Sequence, residues 1–243
     1  MTDDERALLA ACAADPTNDL PRLVYADFLD DHDQPERAEF VRLSVTAANP
    51  TTAAASRVAC QARAGTLLAA HRADWERPLM ALGVGPAADW SVQLPPVEYD
   101  RGLPVGVVLP LDVFVAAGDA ILAAAPTVTR LDLTSQFVGD AGVARLAACP
   151  HLAEVTALDL TNNQLGPAAA AALAASPYVG RLKSLTLGMN RQLGDDGRSA
   201  LRASPHFPPD MMLGLSGHTT YRFDDFQRVV DERLRRPGSG PSR

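Results

Sequence analysis

Three stretches of this chain align with one another at a spacing of 27 or 28 residues. They read VTRLDLTSQFVGDAGVARLAACP (128–150), VTALDLTNNQLGPAAAAALAASP (155–177) and LKSLTLGMNRQLGDDGRSALRASP (182–205). In the first halves Leu131, Leu158 and Leu185 correspond. In the second halves Gly139, Gly166 and Gly194 open the motif, Leu146, Leu173 and Leu201 follow, and Pro150, Pro177 and Pro205 close it. A fixed period in this range predicts a solenoid, because each unit is too small to bury its apolar face except against its neighbours. Alternating leucines followed by a helical pattern make each unit a short strand and then a helix.

The charge is distributed unevenly. The net charge of −7 lies entirely in residues 1–48, which hold eleven acids and four arginines, while the other residues balance. This marks the first segment as a separate unit and argues against nucleic-acid binding. No run of 18 apolar residues exists to span a membrane. The acidic start, Met1 to Arg6, is unlike a secretory signal. Three widely spaced cysteines (Cys12, Cys60, Cys149) form no disulfide framework or zinc spacing, so a reduced, cytoplasmic setting is expected. Cys149 aligns with Ser176 and Ser204, which makes it a small buried filler.

The first segment reads as helices. Thr2 and Glu5 form a capping box before Ala7 to Cys12. Asp19 is placed to cap a second helix with Pro21 in its first turn. That helix shows Leu20, Leu23, Val24, Phe28 and Leu29 at helical spacing, with Arg22, Asp27, Asp30 and Asp31 expected outside. After a turn at His32–Pro35, a third helix carries Ala38, Phe40, Val41 and Leu43. A poorly packed connection at 46–56 leads to a helix through Leu67, Leu68 and Trp75.

Residues 14–45, ADPTNDLPRLVYADFLDDHDQPERAEFVRLSV, resemble the short repeat-companion domain found before leucine-rich repeats in certain bacterial families. His71 to Trp75 and Arg101-Gly102 resemble later signatures of those families. Phe28 stands where tryptophan is more usual. The resemblance implies a small all-α N-terminal domain and brings no activity with it.

The repeats carry a second resemblance. Val155, Leu158, Leu160, Asn163 and Leu165 match the leucine-rich repeat pattern, and Val128, Leu131, Leu133, Gln136 and Val138 match it with glutamine for asparagine. The unit at Leu182 fits through Asn190 and has one extra residue before Leu193. The long helical half is similar to the ribonuclease-inhibitor-like class, which implies an α/β fold: a right-handed solenoid with a parallel inner sheet and outer helices. Asn163 and Asn190 should turn inward to satisfy backbone groups at the bend. The expected organisation is a helical domain over 1–80, an irregular connection over 81–104, and the solenoid over 105–218. A capping helix over 219–236 (Phe223, Phe226, Val229, Val230, Leu234) and a disordered tail over 237–243 complete it. Strands are expected near 105–111, 128–133, 155–160, 182–187 and 211–216, all parallel, with the first helix over 115–126.

In such solenoids the concave strand face binds partners. Here it consists of Arg130, Asp132, Thr134, then Ala157, Asp159, Thr161, then Ser184, Thr186, Gly188, then Met212, Gly214, Ser216. Asp132 and Asp159 should stand side by side, about 4.8 Å apart. Like charges so placed repel. Either solvent screens them and they do nothing, or a basic protein partner relieves them. The face has no aromatic anchor.

No motif of hydrolase, P-loop, zinc-protease or redox type occurs. The cluster Asp27, Asp30, Asp31, His32, Asp33 lacks the spacing of a calcium loop and reads as a solvated helix end. No catalytic, cofactor or metal site is expected. Two function classes follow: a monomeric, non-enzymatic interaction module, or a regulator of an enzyme. The regulator would be a hydrolase inhibitor or a GTPase activator, the latter using Arg130 or Arg101 as an exposed arginine.

Overall fold

Helix α1 (Asp3–Ala14) starts where Thr2 offers its hydroxyl to the Glu5 backbone N–H at 3.1 Å. Glu5 turns its carboxylate to the Tyr25 hydroxyl at 3.1 Å, a tertiary bond that the capping-box reading did not anticipate. The computed structural model describes residues 1–86, 95–216 and 219–222. Helices α2 (Leu20–Asp31), α3 (Pro35–Ala48) and α4 (Ala54–Met80) follow. Asp19 gives α2 no side-chain cap; Asn18 Oδ1 accepts from the Leu20 N–H at 3.0 Å, and the Asp19 carboxylate serves elsewhere.

The burial of α2 departs from the sequence expectation in its first half, while Leu29 is buried, Phe28 packs on the core and Asp27, Asp30 and Asp31 face outward as expected. Its inward residues are Arg22, Tyr25, Ala26 and Leu29, whereas Leu20, Leu23 and Val24 face outward, 65%, 36% and 44% exposed. Both sets have helical spacing, so periodicity could not choose between them. Packing against α1 and α3 chose the set that includes Tyr25 and Leu29, and carried Arg22 in with it. The Arg22 guanidinium donates to the Asn18 carbonyl at 2.9 Å.

Strands β1 (Val97–Asp100) and β2 (Leu103–Val108) form an antiparallel hairpin; β1 lies in the region expected to be irregular, and β2 overlaps the first expected strand, 105–111. Residues 1–85, 95–108 and 117–129 fall in one compact unit, in which the four helices of residues 1–80 are joined by the hairpin. Its core joins Leu9, Cys12, Tyr25, Ala26, Leu29, Ala38, Val41 and Val45 to Leu103 of the hairpin. A second cluster gathers Phe40, Ala64 and Leu67 with Trp75 and Tyr99. The turn residues Arg101 and Gly102 both have positive φ, 48° and 83°. The glycine is obligatory here, because a Cβ would lie 2.5 Å from Val41 Cα.

The first expected strand stops at Val108, and helix α5 (Leu111–Ala124) begins earlier than 115. Pro110 explains both: it cannot donate to a ladder, and its carbonyl accepts from Val113 and Phe114 to open the helix.

The second unit holds, among the described residues, 86, 109–116, 130–216 and 219–222. Within it β3 (Arg130–Asp132), β4 (Ala157–Asp159), β5 (Ser184–Thr186) and β6 (Met212–Ser216) are parallel neighbours, joined by α6 (Gly139–Ala147), α7 (Pro167–Ala175) and α8 (Gly194–Arg202). The helices pack in the same order, α6 on α7 on α8. The chain is thus mixed α/β, with eight α-helices among the described residues. Strand β7 (Thr219–Arg222) pairs antiparallel with β6, which corrects both the all-parallel expectation and the start of the expected capping helix. Its Thr-Thr-Tyr sequence suits a strand, and it supplies partners to an edge that would otherwise be bare. The expected helix beyond Arg222 and the tail lie outside the described residues.

Candidate interaction surface

The strands β3 to β6 are built on buried leucines. Leu131, Leu133, Leu158, Leu160, Leu185 and Leu187 are each no more than 2% exposed. Alternation along a strand then sends their neighbours to the opposite face. The register stacks Arg130, Ala157, Ser184 and Met212 in one row, and Asp132, Asp159, Thr186 and Gly214 in the next. Asp132 and Asp159 are therefore direct neighbours, as the period required. Arg130 is exposed; Asp132, Thr134, Asp159, Thr161 and Thr186 are half-buried.

Each aspartate also has a local duty. Asp132 Oδ1 accepts from the Thr134 N–H, and Asp159 Oδ1 from the Thr161 N–H, both at 2.8 Å. These Asx turns end the strands and fix the carboxylates at their edge.

Behind the face, two buried asparagines bind the bends together. Asn163 Oδ1 accepts from Gln136 N–H and Val138 N–H at 2.9 and 3.2 Å, and its amide donates to the Leu133 carbonyl at 2.8 Å. Asn190 repeats this one unit on: it accepts from Asn163 N–H and Leu165 N–H at 2.8 and 3.1 Å and donates to the Leu160 carbonyl at 2.9 Å. Gln136 does the same work in the preceding unit, accepting from the Leu111 N–H and donating to the Leu109 carbonyl. A second ladder runs through serine: Ser176 and Ser204 donate to the carbonyls of Ala147 and Ala174. Cys149, buried at the aligned position, fills the same space.

The bends also expose two residues that the sequence did not single out. Phe137 and Met189 have φ of 53° and 59° and are 71% and 65% exposed. The left-handed region costs a non-glycine residue about 1–2 kcal/mol. The asparagine bonds on either side of Phe137, to Gln136 and Val138, hold it there. The alignment contained the only signal, an apolar residue at a variable position.

Other candidates resolve differently. Arg101 is no exposed finger: its Nη1 donates to the carbonyls of Pro16 and Thr17 and to the Asp19 carboxylate at 3.3, 3.1 and 2.9 Å. In the acidic cluster Arg42 bridges Asp27 and Asp30 at 2.6 Å each, and His32 stacks on Phe28. Among the described residues no group of three or more side chains could hold a metal ion, and no helix is long and apolar enough to cross a membrane.

Comparison with known proteins gives one match. Residues 151–174 fit the model of the Leucine Rich repeat family, which supports reading the chain as a leucine-rich repeat protein. No curated protein and no solved structure matches the chain.

Proposed function

We propose that the protein is a non-enzymatic protein–protein interaction module. In this reading the repeats form a right-handed, ribonuclease-inhibitor-like solenoid, preceded by a companion domain, and the chain acts as a monomer in the bacterial cytoplasm. Its inner sheet face, through Arg130, Asp132, Thr134, Asp159, Thr161 and Thr186, binds a protein that brings basic groups. The observation that carries the reading is the in-register pair Asp132 and Asp159, held at the strand ends by their own Asx turns. Two carboxylates fixed side by side repel each other and are relieved by a cation from a partner. The leucine-rich repeat match supports a protein as that partner. The regulatory alternative of GTPase activation loses Arg101, whose guanidinium is already engaged.

The test is association kinetics with a partner captured from the source lysate, for wild type and Asp132→Asn/Asp159→Asn, at low and high salt. The reading expects slower association in the variant, and a salt dependence in the wild type that the variant reduces. Identical kinetics under all four conditions would move the binding surface elsewhere.

A further inference from the structure

Helix α2 presents an outward face that the fold leaves uncovered. Its first half shows Leu20, Leu23 and Val24, 65%, 36% and 44% exposed; its second half shows Asp27, Asp30 and Asp31. Single exposed leucines are ordinary, but three large apolar side chains within one helical turn form a patch, and patches mark interaction sites. The contrast with the opposite face strengthens the case. There Arg22 is only 2% exposed, and its Nε has no hydrogen-bond partner among the described residues. Folding alone would favour apolar residues inside and the arginine out. The first half of this helix does the reverse, burying Arg22 and exposing Leu20, Leu23 and Val24, so these outward apolar residues serve something other than its own core.

The geometry points to α2 as the docking site for a basic, amphipathic helical segment of a partner protein. Charge decides among the possible occupants. Arg42 offsets part of the charge of Asp27 and Asp30, to which it is paired at 2.6 Å. Asp31 and the negative end of the helix dipole add to what remains. A second copy of this chain would bring the same acidic face, within a segment of net charge −7, against itself. An anionic membrane surface would be repelled for the same reason. A helix with apolar residues over Leu20, Leu23 and Val24 and lysine or arginine over Asp27, Asp30 and Asp31 satisfies both halves. The face is about 16 Å long, which calls for about eleven residues of partner helix. This surface is separate from the sheet face proposed above and does not depend on it.

The experiment uses the full chain and a labelled model peptide of about 14 residues, leucine on one helical face and lysine on the other, with binding read by fluorescence anisotropy. Control peptides carry glutamate for each lysine, or serine for each leucine. The wild type should bind the leucine–lysine peptide and neither control. Leu23→Ser/Val24→Ser, Leu20→Glu and Asp30→Asn/Asp31→Asn should each weaken it by about tenfold or more, equivalent to about 1.4 kcal/mol. The altered residues are exposed, and circular dichroism confirms that each variant is folded. Asp132→Asn/Asp159→Asn should bind the peptide as the wild type does. Undiminished binding in Leu23→Ser/Val24→Ser overturns the proposal, as does equal binding of the glutamate peptide. Loss of binding only in the Asp132/Asp159 variant would assign the peptide to the sheet face. A wild-type dimer in sedimentation that Leu23→Ser/Val24→Ser dissolves would give the face to a second copy.

Discussion

The Arg101 guanidinium meets the Asp19 carboxylate at 2.9 Å across 82 positions of sequence. With its bonds to the Pro16 and Thr17 carbonyls, it fastens the β1–β2 turn to the loop between α1 and α2. Next to it Gly102 lies directly on the backbone of Val41, and Leu103 completes the helical core. The hairpin is therefore part of the N-terminal unit. Constructing that unit from residues 1–80 alone would strip its core of Leu103.

Gly102→Ala should be severely destabilising. It combines a φ of 83° with a Cβ placed 2.5 Å from Val41 Cα, backbone that cannot swing aside. A loss of more than about 2 kcal/mol is expected from these two causes together. Arg101→Ala, at a half-exposed pair, should cost about 1 kcal/mol. Urea denaturation of both variants checks the order; equal effects would contradict it.

Asn163→Ala should cost about 2–4 kcal/mol, since it leaves the part-buried N–H groups of Gln136 and Val138 and the buried Leu133 carbonyl without their partner. The adjacent Asn162, exposed and bonded to the Ser135 hydroxyl, is the control: at its φ of 56° Asn162→Ala should cost about 1 kcal/mol, less than Asn163→Ala. Similar midpoints for the two variants in thermal unfolding would argue against the ladder's role.

Asp132 and Asp159 should tolerate asparagine better than alanine. Asparagine keeps the side-chain oxygen that receives the Thr134 or Thr161 N–H; alanine removes it. Each alanine should cost about 1 kcal/mol and each asparagine less, by chemical denaturation. This ordering also makes the asparagine pair a clean probe of charge in binding.

Glu76 gives a pH signature. Its carboxylate is 3% exposed, 3.3 Å from Arg72, and burial raises it above the ordinary carboxylate range despite that pair. Burial, with Glu76 nearby, also pushes the Tyr99 hydroxyl up to about 12. Because folded Glu76 holds its proton to higher pH than the unfolded chain does, stability falls as pH rises above the ordinary carboxylate value. The fall ends once pH passes the folded value. Glu76→Gln removes that contribution, so its stability relative to wild type should improve as pH rises from the ordinary carboxylate value towards neutrality. A stability difference independent of pH across that range would refute the assignment.

The parts of the fold legible in the sequence are those that recur. Leu131, Leu158 and Leu185, the asparagines at 163 and 190, and the neighbouring aspartates at 132 and 159 each appear at a fixed offset. In a stacked array the sequence offset is also the spatial neighbour relation. Reading the period therefore located the strands β3 to β6, the buried asparagine bonds and the candidate face. Pro110 ends the first strand early, against an apolar run that reads as strand to Leu111, and at β7 an amphipathic helical pattern from Tyr221 onward outweighs the strand-forming Thr-Thr-Tyr.

The N-terminal unit was decided by tertiary packing. The expected stripe Leu20, Leu23, Val24, Phe28 and Leu29 and the buried set Arg22, Tyr25, Ala26 and Leu29 share Leu29 and both have helical spacing, and the first is the more apolar. Only contact with α1 and α3 selected the second, because Tyr25, Ala26 and Leu29 fit that interface and Arg22 could reach the Asn18 carbonyl from it. The union of Arg101 with Asp19 and of Gly102 with Val41 likewise has no local trace. Repetition lets a sequence report its own long-range contacts. Where nothing repeats, such contacts depend on shape and distance, and those exist only once the chain has folded.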